Sequence, residues 1–392
     1  MTETFVPFYD HAATYRSLRL EIDAAIRSVL EAGCYADGDQ VAGFEKEFAA
    51  YCGTKHAVTA GSCRDAMYKA LLALEVGKGH EVITVSNTCV GGTVAISQVG
   101  ARIVWADISD RTWNMDPTEL ERLVTRRTRA VVVPHMYGHP ADMDEILEIS
   151  AQHGLAVVED AAIAVGATYK GRRVGALGDV ACFSHVASKI LAGCGDGGTA
   201  TTNRDDLAKR IRDLSIYSRS ELRSVGKDGT SVHSGFLYER EGLHGRIGEL
   251  NAAVLRVKLR HLEGWMVRRR QIAGAYSECL RALDIEPPAK SDEVGHAYRN
   301  YTICVEDRDE VRTRLRAQGV ETNVQYSPAL HTQPVYRKAS GTAVSLPVTE
   351  KVVGSIVNLP IYPELSDAQV ESVCAALVNC VRSTRSHKAC SR

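Results

Sequence analysis

What this chain lacks narrows it first. No apolar run approaches the roughly 20 residues of a membrane-spanning helix, which argues against an integral membrane protein. Neither sign of charge is in excess: 47 Lys and Arg face 48 Asp and Glu, for a net charge of -1. Attraction to nucleic acid or to an anionic membrane is therefore not expected. The opening residues Met1-Thr2-Glu3-Thr4-Phe5 hold no basic stretch followed by an apolar core, so no secretory leader is expected. The 11 cysteines include no Cys-x-x-Cys pair. In a leaderless chain they read as reduced thiols, mostly in the core of a cytoplasmic protein. No repeat or low-complexity segment is present.

What is there is an alternation. Apolar strand-like runs appear at His56–Thr59, Glu81–Val85, Arg102–Trp105, Ala130–Val133, Leu155–Val158, Ala181–Phe183 and Thr199–Thr201. Helical patterns lie between them at Asp65–Leu74, Asp142–Gln152 and Asp205–Leu214. That order predicts an α/β fold with a mostly parallel sheet covered by helices. A further helix is predicted from Glu249 to Leu280, and the pattern changes after Pro287-Pro288. His296–Val305 reads as a strand, Arg308–Gln318 as a helix, Val320–Tyr326 as a strand and Asp367–Val381 as a last helix. The basic, polar residues from Val381 to Arg392 read as a frayed tail. The chain of 392 residues thus divides into a large α/β domain over 1–250, with an N-terminal arm, and a small C-terminal α+β domain over 251–392.

Ligands of open α/β sheets bind beyond the carboxyl ends of the strands. Ser62, Asn87, His135, Asp160 and Ser184 all fall at such ends. Just beyond Ser184 come Lys189 and a Gly193-Cys-Gly-Asp-Gly-Gly198 turn. An acid at the end of a buried strand and a lysine beside a glycine turn suit a pyridoxal phosphate enzyme. The lysine forms a Schiff base with the cofactor aldehyde, and the acid keeps the ring nitrogen protonated, making the ring an electron sink. Lys189 and Asp160 are the candidates. A buried carboxylate needs a partner, and the ring nitrogen supplies one; the alternative for Asp160 is a helix cap. Glu159 reads as structural. Ser62, Cys63 and Arg64 lie where a strand meets a helix N-terminus, which suits a phosphate, although Ser62 also reads as a simple N-cap. Ser184 offers a second hydroxyl to the same phosphate. The glycine turn lacks Gly-x-Gly-x-x-Gly spacing and reads as a chain reversal. His135 and His139 are four apart, but Gly138 and Pro140 forbid a regular helix there, so no metal site is expected.

These residues sit in longer motifs. They are Pro7-Phe8 and Phe44-Glu-Lys-Glu-Phe48, His135-Met-Tyr-Gly-His-Pro-Ala-Asp-Met143, and Glu159-Asp-Ala-Ala162. Further on come Gly195-Asp-Gly-Gly198, Tyr326-x-Pro328-x-x-His331 and Leu359-Pro360-x-x-Pro363-Glu-Leu365. With these the chain resembles the DegT/DnrJ/EryC1/StrS family of sugar aminotransferases, pyridoxal phosphate enzymes of fold type I (aspartate-aminotransferase-like). The resemblance implies a homodimer with the active site at the interface and glutamate or glutamine as amino donor. It also marks departures. Ser62-Cys63-Arg64 replaces a Ser-Gly-Thr phosphate loop. Cys89 stands where an aromatic ring often stacks on the cofactor, giving up about 0.5–1.5 kcal/mol. Ile163 stands where a Gln or His faces the phenolic oxygen. Gly242-Leu-His244-Gly-Arg246 replaces Gly-x-Asn-x-Arg, a segment that reaches into the partner's site. Arg64 and His244 add cationic character near the phosphate.

The leading expectation is a pyridoxal 5′-phosphate-dependent transaminase. It moves an amino group from glutamate or glutamine to a keto sugar or keto cyclitol, free or nucleotide-linked, in amino-sugar, antibiotic or glycan biosynthesis. Two alternatives stand beside it. A keto-sugar dehydratase is disfavoured because relatives with that chemistry carry histidine in place of the lysine. A catalytically degenerate partner protein is supported by the altered cofactor positions and opposed by retention of Lys189 and Asp160.

Overall fold

The computed structural model describes residues 5–225, 231–238, 241–340 and 344–390; Met1–Thr4, at the start of the segment read for a leader, lie outside them. Helices α1 (His11–Ala32) and α2 (Asp39–Cys52) precede an alternating run. In it, strands β1 (His56–Ala60), β2 (Glu81–Val85), β3 (Arg102–Ala106), β4 (Thr128–Pro134) and β5 (Ala156–Asp160) are separated by helices α3 (Cys63–Ala73), α4 (Val90–Gln98), α5 (Pro117–Leu123) and α6 (Met143–His153). Short strands β6 (Thr168–Tyr169) and β7 (Arg172–Arg173) lead to β8 (Val180–Ser184), β9 (Gly198–Thr202) and α7 (Asp205–Leu214). A hairpin of β10 (Arg219–Val225) and β11 (Ser231–Tyr238) precedes the long α8 (Glu249–Arg281). The remainder is β12 (Val294–Gly295), β13 (Tyr301–Cys304), α9 (Arg308–Ala317), α10 (Pro334–Ser340), α11 (Pro347–Ser355), β14 (Ile356–Leu359) and α12 (Asp367–Cys390).

Seven strands form one sheet in the order β1-β9-β8-β5-β4-β2-β3. Strand β9 runs antiparallel to both neighbours, and the other pairings are parallel. Helices cover both faces, as parallel sheets require. The strand period of two separates the faces residue by residue. Ile83, Val131 and Val157 face a core with Phe44 and Phe48 of α2 and with Leu255 and Met266 of α8. Their neighbours Val82, Val132 and Val158 face the other core, with Met67 and Leu71 of α3 and Ile211 of α7.

A separate core gathers Ile303, Val357, Leu315, Val373 and Leu377 around the second half of α8, at Ile272, Tyr276 and Leu280, and takes in Val6 from the N-terminal arm. Helix α8 therefore serves both cores, changing over between Met266 and Ile272. Among the described residues no helix is long and apolar enough to cross a membrane.

Three expectations need correction. The run 320–326 is not a strand. It makes single bridges to two different partners, Val6↔Val320 and Asn323↔Asn358, so no ladder can propagate. The strand read over 296–305 is paired only from Tyr301, because Tyr298 adopts φ 46° and Ala297 and Asn300 bond instead to Gly138 and Tyr137. The last helix does not stop at Val381: its backbone stays helical to Cys390, and the stretch holds no Pro or Gly to end it. Ser391 and Arg392 lie outside the described residues.

Candidate active site

The carboxyl ends of the central strands meet along one edge of the sheet. Pro134 pairs with Asp160, Asp160 with Cys182, and Ser184 with Gly198. His135 N–H donates to the Asp160 carbonyl at 3.1 Å. Gly198 packs so closely on the start of α3 that a Cβ there would lie 2.3 Å from the Ser62 carbonyl carbon. The end residues of β1, β4, β5 and β8 are thus contiguous.

Two adjacent acids end β5, and their surroundings differ. Glu159 is fully buried and fully partnered. Its Oε1 accepts from Leu177 and Gly178 N–H at 2.9 Å each, and its Oε2 from Gly175 N–H at 2.9 Å and His135 Nε2 at 3.1 Å. His135 Nδ1 accepts from Ala141 N–H at 3.1 Å, so Nε2 carries the proton given to Glu159. Burial pushes the Glu159 pKa up, but the His135 and amide bonds outweigh it and hold the carboxyl below its ordinary value. Asp160 is buried with a single described side-chain bond, from Ala162 N–H at 3.2 Å. Burial pushes its pKa above the ordinary value, against the opposing effects of that bond, Lys189 and His135. Next to it Gly92 leaves room: a Cβ there would meet Asp160 Oδ2 at 3.3 Å.

The segment after β8 carries Lys189. It is anchored by His185, whose Nδ1 donates to Leu191 O at 3.1 Å and whose Nε2 accepts from Thr199 Oγ1 at 2.8 Å. Burial pushes the His185 pKa down to about 4, so the ring is neutral. Lys189 is itself partly buried, and burial, then the Arg299 guanidinium, depress its pKa; Cys89, Cys63 and Asp160 act in the opposite direction. Those three groups therefore share its surroundings. Lys189 opens onto a cavity of about 180 Å³.

Ser62 caps α3: its Oγ accepts from Asp65 N–H at 3.1 Å. The N-cap reading is thus realised, at a helix start that leaves other N–H groups without intrahelical partners. Cys63 Sγ donates to Cys182 O at 3.4 Å, and burial raises its pKa well above the ordinary thiol value. Arg64 is exposed and donates to Gln98 Oε1 at 3.1 Å. Cys89 caps α4 and is partly buried. Ile163 is buried against Met136 and Tyr137, with Tyr326 and Trp113 beside it. Ser184 is partly buried next to Gly198. His244 is exposed and stacks on Tyr217 at 5.1 Å, and its neighbour Gly245 touches α3.

Three features were not foreseen. Lys69 is fully buried under the α3 start, donating to Asp65 Oδ2 at 2.7 Å and Gly245 O at 2.5 Å, which ties the 242–246 segment to the helix. Tyr326 is packed against Ile163, and Cys89 and Asp160 help to raise its pKa after burial itself. Arg299, 2 % exposed, donates to Ser188 O and to the Tyr9 hydroxyl. The one sequence signal for Lys69 is its spacing of four from Asp65 on a helix; Arg299 has no local signal.

Residues 16–378 match the DegT/DnrJ/EryC1/StrS aminotransferase family. The chain is 40% identical over 373 residues to dTDP-3-amino-3,4,6-trideoxy-alpha-D-glucose transaminase of Streptomyces venezuelae, with 95% of each chain covered. It is 40% identical to the erythromycin biosynthesis sensory transduction protein EryC1 of Saccharopolyspora erythraea, covering 95% of this chain and 98% of that one. Among solved structures it is similar to S. venezuelae DesV in complex with a ketimine intermediate, with TM-score 0.89, 40% identity, and 96% and 98% of the two chains covered.

Proposed function

Because the chain belongs to the DegT/DnrJ/EryC1/StrS aminotransferase family, we propose that it aminates a nucleotide-linked keto sugar, with glutamate or glutamine as donor and pyridoxal 5′-phosphate as cofactor. The nucleotide-linked sugar is supported by the dTDP-sugar transaminase to which it is 40% identical. The observation that carries the reading is the pairing of a lysine of depressed pKa with a buried acid that the protein itself leaves underbonded.

The residues fit the cofactor. Asp160, with one hydrogen bond and room beside it at Gly92, would pair with the ring nitrogen. Ser62, the α3 start and Ser184 would hold the phosphate. Cys89 and Ile163 would stand beside the ring, and Cys63 and Arg64 would stand with Ser62 at the α3 start. When bound, the cofactor supplies an electron sink that makes the proton on the amine-bearing carbon removable. Lys189 Nζ would hold it, and the freed amine would take that proton and return it. Neutrality of the amine is favoured by burial and Arg299. Glu159 and His135 lock the end of β5, fixing where Asp160 stands. Tyr326 and Ile163 would present an apolar side to the ring.

The family resemblance supports a homodimer with His244 and its segment serving the partner's site. Exposed apolar side chains at Tyr35, Val90, Tyr217 and Leu250 agree with a covered face.

The decisive experiment is borohydride reduction of the purified holoprotein followed by peptide mapping, with 2-oxoglutarate release from glutamate measured in parallel. The pyridoxyl mass is expected on the peptide carrying Lys189, with 2-oxoglutarate formed stoichiometrically. A label elsewhere, or no keto acid from either donor, refutes the reading.

A further inference from the structure

A loop without regular structure must find partners for its backbone groups elsewhere. In the loop that joins Lys189 to β9, the described partners come from two places. His185 supplies three: its Nδ1 donates to Leu191 O at 3.1 Å, its carbonyl accepts from Gly193 N–H at 2.8 Å, and its N–H donates to Gly197 O at 2.8 Å. Helix α8 supplies three more. Asn251 Oδ1 accepts from Cys194 N–H at 2.8 Å, Asn251 Nδ2 donates to Asp196 O at 2.9 Å, and Lys258 Nζ donates to Ala192 O at 2.7 Å. Asn251 and Lys258 are two helical turns apart on one face of α8. Gly193 admits the contact: a Cβ there would lie 1.9 Å from Asn251 Oδ1. Lys258 is 9 % exposed and forms no ion pair among the described residues. Burying an ammonium without an acid is costly, so packing alone gives no reason for a lysine at this place.

We propose that Asn251 and Lys258 are positioning residues for the reaction, clamping the loop behind Lys189 onto α8 and so fixing where the Lys189 amine stands. The inference rests on the transaminase reading above. A long side chain is only as well placed as the backbone that carries it, and misplacing a reacting group by about 1 Å costs about 100-fold in rate. The Lys189 N–H bonds to Val186 O at 2.9 Å, a turn inside the same segment that ties it to nothing outside. Without Asn251 and Lys258, His185 is the only described anchor of the backbone from Ile190 to Gly197. Helix α8 is a firm second anchor because it packs into both hydrophobic cores. The residue types suit the task. An amide accepts from one backbone group and donates to the next but one, and an ammonium on a long stem reaches the carbonyl between that turn and Lys189.

The test is a double-mutant cycle with a second, non-catalytic readout. Holoenzyme, Lys258→Met and Asn251→Leu are compared in single-turnover conversion of the cofactor absorbance by L-glutamate. Each variant should be slower by about 10- to 100-fold, with the half-saturating glutamate concentration within about threefold of wild type. In Lys189→Ala, ethylamine in the buffer replaces the missing base. There Lys258→Met should change the amine-supported rate by less than about twofold, because the group it positions is gone. Hydrogen exchange of the full chain without cofactor reads the clamp directly. Amides of residues 190–197 should exchange about 10-fold faster in either variant, with those of β5 unchanged. Lys258→Arg, which keeps a donor at that place, should recover slow exchange and most of the rate. It is also the variant measured if the methionine form does not fold. Equal slowing with and without Lys189 overturns the proposal, since the α8 contacts would then be general packing. So does an unchanged rate, or unchanged exchange over 190–197, in both Lys258→Met and Asn251→Leu. Failure of wild type to convert with glutamate or glutamine overturns the transaminase reading instead, and the exchange result still reports on the clamp.

Discussion

Replacing the two acids that end β5 by their amides should separate a structural carboxylate from a chemical one. In Glu159→Gln, the amide oxygen can keep the Leu177 and Gly178 N–H groups that now share Oε1. The NH₂ group then faces Gly175 N–H and His135 Nε2–H, both donors, where Oε2 had accepted from each. Two buried donors lose their acceptor at about 1–3 kcal/mol each, so about 2–6 kcal/mol of stability is lost. Asp160→Asn differs. The carboxyl is raised in pKa and has one described hydrogen bond, from Ala162 N–H, which an amide oxygen can accept equally well. Stability should change by less than about 1 kcal/mol, since a charge that burial disfavours is removed while the one bond is kept. The chemistry should respond in reverse. Loss of the anion facing the ring nitrogen should slow cofactor conversion by glutamate by about 100-fold or more. Glu159→Gln, while folded, should stay within about tenfold of wild type. Urea unfolding monitored by tryptophan fluorescence and single-turnover absorbance measure the two quantities. A Glu159→Gln protein as stable as wild type, or an Asp160→Asn protein of undiminished rate, would refute the assignment.

Two further outcomes follow from the geometry around the same loop. His185 has its folded pKa lowered to about 4 by burial, against an ordinary 6.5. The unfolded chain therefore binds more protons between these values, and stability must fall as pH drops from about 6.5 to about 4, by about 3 kcal/mol in all. His185→Gln should remove that part of the slope in urea unfolding curves taken at pH 6.5 and 4.5; an unaltered slope assigns it to other groups. Gly198→Ala would put a Cβ 2.3 Å from the Ser62 carbonyl carbon and 2.5 Å from Cys63 N, both backbone. It should cost about 1–3 kcal/mol by overpacking and weaken cofactor retention on gel filtration; full retention with unchanged stability would show that the α3 start is free to move.

The central sheet was legible because most of its strands are apolar runs flanked by turn residues, and burial on both faces makes such runs continuous. Placing Ser62, Asp160 and Ser184 at strand ends was enough to bring them together, since the carboxyl-edge rule depends on topology and not on contacts. Helix α4 was missed for a definite reason: Val90-Gly91-Gly92-Thr93 opens it with two glycines and no polar face, so neither propensity nor periodicity marks it. Arg299 was illegible in another way. Its partners Ser188 and Tyr9 are 111 and 290 residues away in sequence, and residue 299 precedes an apolar strand, where an arginine reads as a surface charge. Contacts between the N-terminal arm, the Lys189 loop and the edge of the second core have no local pattern to announce them.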